Sequence, residues 1–139
     1  MKTETKPINT VLAAPRIGAM WPEQGGIYAG ILRGENHEPD YHLIHAEQEH
    51  EIVKANWKAA VESAKTALNG FADWSLPNRR EARLLAINSP DNFDKDDWHW
   101  TSRQDADNPV YAWLQDFEDY LHKSYECRAR SVRRISIIK

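Results

Sequence analysis

The sequence predicts an α+β domain with elements in the order β β α α β β β. Three observations carry that prediction: two β-rich segments around a turn between 26 and 47, two stretches of helical character between 54 and 88, and three strand-like segments loaded with Trp, Tyr and Arg from 98 to 135. At 139 residues the chain is the size of one domain and buries roughly two-thirds of its unfolded surface on folding. Its 41% hydrophobic and 28% charged fractions are those of a globular protein, and no apolar run reaches the roughly 18 residues of a membrane span. No membrane partner is expected.

Residues 1–25 hold three of the seven prolines and show no periodicity, so they read as an extended N-terminal arm, with a single domain over 26–139. GIYAGILRG and YHLIHAE flank the turn-like ENHEPD, which predicts a hairpin, and Gly25, Gly26 and Gly30 mark a bulge or a close backbone approach. Between 54 and 69, Trp57, Ala60, Val61, Ala64, Ala67 and Leu68 form one helical stripe opposite Lys54, Lys58, Glu62 and Lys65; Gly70 is placed to cap that helix. The second helix starts at Asn78, where Asn78 and Glu81 fit a capping box behind Pro77, and it ends near Ile87 or Asn88 ahead of Pro90. WHWTS (98–102), YAWLQDF (111–117) and KSYECRARSVRRI (123–135) are the terminal strands.

One cysteine, Cys127, excludes an internal disulfide, and the first 21 residues lack the basic start and apolar segment of an export signal. The expected location is cytoplasmic. Residues 91–119 carry nine Asp or Glu against Lys95 and Arg103, whereas 123–139 carry six Lys or Arg against Glu126. An acidic rim beside a basic strand follows, with Arg128, Arg130 and Arg134 on one strand face pairing with the acidic stretch. With a net charge of −3 the domain lacks the basic footprint of a nucleic-acid binder.

No residue is assigned to catalysis. Period-two alternation turns Cys127 inward with Tyr125 and Ala129, where a thiol behaves as a small hydrophobe. His37, Asp40, His42 and His45 crowd the first hairpin without a Cys pair or an HExxH helix, so they read as solvated loop histidines. Asp91, Asp94, Asp96 and Asp97 lack the glycine and terminal glutamate of a calcium loop and read as a solvated acidic segment. Neither cofactor nor metal is assigned. Tyr111, Trp113, Gln115 and Phe117 share one face of their strand, and three aromatics at period two predict that Trp113 and Phe117 are core. Trp98 and Trp100 share a face opposite His99, and at least one of them is expected inside.

The segments GFADWSLPNRREARLL (70–85), WHWTS, YAWLQDF and SYECRARSVRRI together resemble the bacterial Lcl C-terminal-domain family, whose members read G-F-x-D-W-R-L-P-T-x-x-E, W-T-S, Y-A-W-x-x-D-F and R-x-V-R. That family resembles a branch of the C-type-lectin-like superfamily, near formylglycine-generating-enzyme-like domains and the variable proteins of diversity-generating retroelements. The resemblance implies two helices packed on a twisted, mainly antiparallel sheet. It also implies a non-enzymatic binding module, because the sulfatase-activating members use a cysteine pair and this chain has one cysteine. Compact members resemble phage and prophage proteins, so the implied partner is a host protein, for example a defence component. A glycan or a virion-associated receptor is the alternative. Binding residues of the retroelement proteins lie on the terminal strands and their loops, which by motif correspond to 98–125 here. The candidate site is therefore Trp98, Trp100, Arg103, Gln104, Asp105, Asp107, Tyr111, Gln115, Tyr120 and His122, centred on the polar 103–108 loop.

Overall fold

A computed structural model of the chain describes residues 14–94, 97–115 and 120–137. Its strands are β1 (Met20–Trp21), β2 (Gly26–Leu32), β3 (Tyr41–His45), β4 (Ile52–Ala55), β5 (Trp100–Gln104), β6 (Tyr111–Leu114), β7 (Tyr120–His122), β8 (Cys127–Ala129) and β9 (Val132–Ser136). Helices α1 (Trp57–Ser63) and α2 (Arg79–Asn88) lie between β4 and β5. The class is α+β with antiparallel sheets: four strands in the order β1-β2-β3-β9, a β4-β8 pair, and three strands in the order β5-β6-β7.

The predicted hairpin is β2–β3, and it carries the predicted bulge. Tyr28 faces Ile44 and Gly30 faces Leu43, leaving Ala29 as the extra residue. Gly30 takes φ +118°, a conformation that a Cβ disfavours. The bulge is tied to α2, because Asn88 donates its Nδ2 hydrogen to Ala29 O at 2.8 Å.

Helix α2 matches its sequence signals. Asn78 Oδ1 accepts from Glu81 N and Glu81 Oε1 accepts from Asn78 N, both at 2.8 Å, which is the full capping box. Helix α1 differs from the prediction over 54–69. Its N-cap is Asn56, whose Oδ1 accepts from Ala59 N at 2.9 Å, and the residues before it form β4, where Ile52 faces Ala129 and Ala55 faces Cys127. Strand pairing takes the backbone groups that a longer helix would need. At the other end Leu68 and Phe71 exchange backbone hydrogen bonds of 2.9 and 3.0 Å around Asn69 (φ 53°) and Gly70 (φ 86°). This Asn-Gly pair makes a type I′ turn rather than a helix cap.

Two further expectations change. Within the region expected as a free arm, β1 pairs with β2 and Trp21 is buried in the core with Tyr28, Ile44 and Trp74. The single strand expected over 123–135 is two strands in different sheets, β8 on β4 and β9 on β3. Arg130 and Ser131 make the crossing: Ala46 N donates to Ser131 O at 2.9 Å and Ser131 Oγ donates to Ala64 O at 3.0 Å.

The described residues form three apolar clusters. One joins Trp100, Leu114, Leu76 and Cys127 to the alanines of α1, a second surrounds Trp21 and Trp74, and a third joins Ala29, Leu43, Leu85 and Val132. Burying each large side chain contributes about 1.5–3 kcal/mol. Among the described residues no helix is long and apolar enough to cross a membrane.

Candidate functional site

Register assigns the side chains of β6 and β7 to two faces. Trp100 lies opposite Leu114, and Ala112 opposite Leu121; these residues face the core, with Trp100, Ala112 and Leu114 at 0% exposure. Tyr111 lies opposite His122 and Trp113 opposite Tyr120 on the other face. The expectation that Trp113 is core is therefore inverted. Trp100 already fills the space beneath the sheet, and the smaller Ala112 and Leu114 are the β6 side chains that fit against it. Phe117, expected to be core with Trp113, lies outside the described residues.

On the outer face the aromatics pack against one another. Tyr111 meets Tyr120 edge-on at 5.4 Å and His122 at 5.7 Å, and Trp113 tilts against Tyr120 at 4.9 Å. The Arg79 guanidinium from the start of α2 lies 3.9 Å from the Trp113 ring centre, a cation–π contact. Lys123, Trp57 and Gln104 form a separate group: Gln104 lies opposite core-facing Ala112, and Lys123 sits 4.3 Å over Trp57 and donates to Gln104 Oε1 at 2.7 Å. Tyr120 is 46% exposed and neighbouring Val110 is 46% exposed. The result is an aromatic patch with the Arg79 guanidinium stacked on it.

The predicted site residues divide. Tyr111, Tyr120 and His122 come together on this patch, whereas Gln104 lies opposite Ala112 and pairs with Lys123 apart from them; Arg103 is exposed in β5 and Asp107 on the β5–β6 connection. Asp105, half-buried, anchors that connection by donating from its N to Tyr111 O at 2.9 Å. Trp98 is 47% exposed but lies apart, beside Val53, Glu126 and Cys127 in a shallow depression. Trp100 is a correction: it is enclosed, and its Nε1 donates to Ala55 O at 2.9 Å. Gln115 is another, since its Oε1 accepts from His99 N at 2.6 Å and its Nε2 donates to Asp97 O at 3.2 Å, a structural duty. Trp113 and Arg79 are additions to the patch. Arg79 had no signal in the sequence, whereas the Ala112/Leu114 alternation pointed to the other face of β6.

The arginines of the last segment are structural as well. Arg128 donates to Asp97 at 2.7 Å and to Glu51 at 2.8 Å and lies 3.6 Å from Asp94, so its pairing with the acidic stretch stands. Arg130 is not on an exposed face: it is 2% exposed and donates to Glu51 Oε1, Ala46 O and Asn92 O. Arg134 makes a bidentate pair with Glu81 at 2.6 and 2.8 Å. Burial pushes the Glu51 carboxyl up, but the His99 hydrogen bond, the Arg130 charge and the Arg128 hydrogen bond outweigh it and bring the pKa down to about 2.

The hairpin histidines are not solvated as expected. His42 and His45 are both at 0% exposure; His42 Nδ1 bonds Tyr28 OH at 2.7 Å, and burial with the nearby Arg130 charge lowers the His45 pKa to about 4. His37 stays exposed in the turn, and Asp40 Oδ1 accepts from Gly34 N at 2.9 Å. Among the described residues no group of three or more His, Cys, Asp or Glu is arranged to hold a metal. Cys127 is buried, and burial, reinforced by Asp97, pushes its thiol up to about 11. A thiol so held is protonated at neutral pH and is a poor nucleophile. Neither a protein-family model nor a curated protein matches the chain.

Proposed function

We propose that the protein is a C-type-lectin-like binding module that holds a partner protein on the aromatic patch of β6 and β7. The observation that carries this reading is the outward cluster of Tyr111, Trp113, Tyr120 and His122 with the Arg79 guanidinium stacked on Trp113. Tyr, Trp and Arg in a preordered group are the side chains that dominate protein–protein binding energy. Ring geometry favours a protein over a sugar: Arg79 occupies one face of Trp113 and Tyr120 leans on the ring, which leaves edges and hydroxyls rather than an open flat face.

The motif residues on which the resemblance rests serve the scaffold. Trp74 and Trp100 are core, Glu81 completes a capping box, and Arg130, Val132 and Arg133 are buried. The shared motifs thus describe a scaffold, and binding falls to residues outside them or on the outer face. The resemblance to phage and prophage proteins assigns the partner to the bacterial cytoplasm, with a host defence component as the proposed target.

Affinity capture from host lysate with mass-spectrometric identification tests the proposal. Tyr120→Ala is expected to weaken capture by roughly 2 kcal/mol, about thirtyfold, beyond a stability loss of roughly 1 kcal/mol from its contacts with Tyr111 and Trp113. Arg103→Ala reports the adjoining end of β5. Undiminished capture by Tyr120→Ala would remove the patch from the interface, and glycan binding without a captured protein would replace the protein partner by a carbohydrate.

A further inference from the structure

A cavity of about 300 Å³ opens between α2, the 90–94 segment and the start of β5, and none of the aromatic patch residues lines it. That volume lies at the lower end of the roughly 300–1,000 Å³ of small-ligand pockets. Pro77, Leu85, Pro90, Phe93 and Trp100 make its walls apolar, so they favour an apolar body inside.

The polar groups around it decide what charge that body carries. Arg130 is committed elsewhere: it donates to Glu51, Ala46 O and Asn92 O and lies 4.3 Å over Phe93. Gln115 is held between His99 N and Asp97 O, and His99 Nε2 bonds Glu51 at 3.1 Å in either charge state of the ring. Asp94 is the carboxylate of the lining, and its side chain is 42% exposed, which puts it at the rim. Arg128 lies 3.6 Å from Asp94 but closer to Asp97, at 2.7 Å, and to Glu51, at 2.8 Å. A carboxylate offers about four acceptor sites, so Asp94 has room for a further donor beside Arg128.

The wider field has the same sign. Glu51, Asp94 and Asp97 outnumber Arg128 and Arg130, and Lys95 and Asp96 add one charge of each sign. Protonating His99 brings that balance to neutral and never to positive. The wall also includes Leu85 and Ala86 from the last turn of α2, where carbonyl dipoles favour a cation over an anion.

We propose that this cavity binds a primary amine with a compact apolar body, its ammonium donating to Asp94 at the rim.

Titration of the ¹⁵N-labelled full chain with phenethylamine at neutral pH is expected to shift the amides of Ala82, Ala86, His99 and Trp100 saturably. 2-Phenylethanol, of similar shape but uncharged, is expected to bind about tenfold more weakly, and 3-phenylpropionate more weakly still. In Asp94→Asn, at an exposed position, the preference for the amine over the alcohol is expected to disappear. That preference is a ratio measured within each protein, so a change in stability does not mimic its loss. No saturable shift at millimolar phenethylamine, equal affinity of the unaltered chain for amine and alcohol, or an undiminished amine preference in Asp94→Asn would each overturn the proposal.

Discussion

Glu81 shows how much one side chain can organise here. Its carboxylate is fully enclosed, and it accepts from Asn78 N, from Tyr41 OH at 2.6 Å and from two Arg134 nitrogens. Burial opposes the charge, but the Arg134 bonds and charge, with help from Tyr41 and Asn78, hold its pKa below the usual carboxylate range. Glu81→Gln keeps the shape and removes the charge, leaving Arg134 without its counter-ion. A loss of roughly 3 kcal/mol in urea denaturation is expected; a loss under about 1 kcal/mol would show that the pair barely exceeds its desolvation cost. The capping role of Glu81 was legible, because its partner stands three residues away. The roles of Tyr41 and Arg134 were not, since those residues lie 40 and 53 positions off and pairing at that range depends on the sheet.

The elements divide in the same way. Helix α2 is written locally, by Pro77, Asn78 and Glu81 at one end and Pro90 at the other. Asn78→Ala is expected to cost about 1 kcal/mol, read as a lowered denaturation midpoint at unchanged slope; no change would mean that Glu81 alone secures the helix start. Helix α1 was overextended because its apolar stripe continues through Ala67 and Leu68, while β4 claims residues 52–55 and the Asn69-Gly70 turn claims the far end. Asn-Gly was a readable hairpin signal that the helical period masked. In β6 the aromatics alternate with period two as predicted, but they lie on the face opposite to the predicted one. Period two states that two faces exist, and which one is inside depends on what Trp100 has already filled.

At the level of the whole molecule, buried titratable groups make stability depend on pH. His45 is held neutral to about 4 against an ordinary value of 6.5, so below pH 6.5 the unfolded chain takes a proton that the folded chain refuses, and stability falls with the pH. Glu51 lies at about 2 against 4.5; its contribution is complete above pH 4.5 and is lost as the pH drops toward 2. That second step corresponds to roughly 3 kcal/mol. Denaturation midpoints measured from pH 7 to pH 2 are expected to decline through both windows. In Glu51→Gln the molecule is less stable at neutral pH and the decline below 4.5 is flattened; a curve parallel to the unaltered protein would exclude Glu51 as its source.

By itself the sequence determined the α+β class, the β2–β3 hairpin with its glycine bulge, helix α2 and the inward thiol of Cys127, because each rests on residues close together in the chain. Tertiary structure alone decided which face of β6 is outside, that the last segment crosses between two sheets at Arg130, and that His99 meets Glu51 beside an apolar cavity. The physical reason is range: capping, turn and alternation energies act over a few residues, whereas burial and ion pairing are settled by whatever the fold brings alongside.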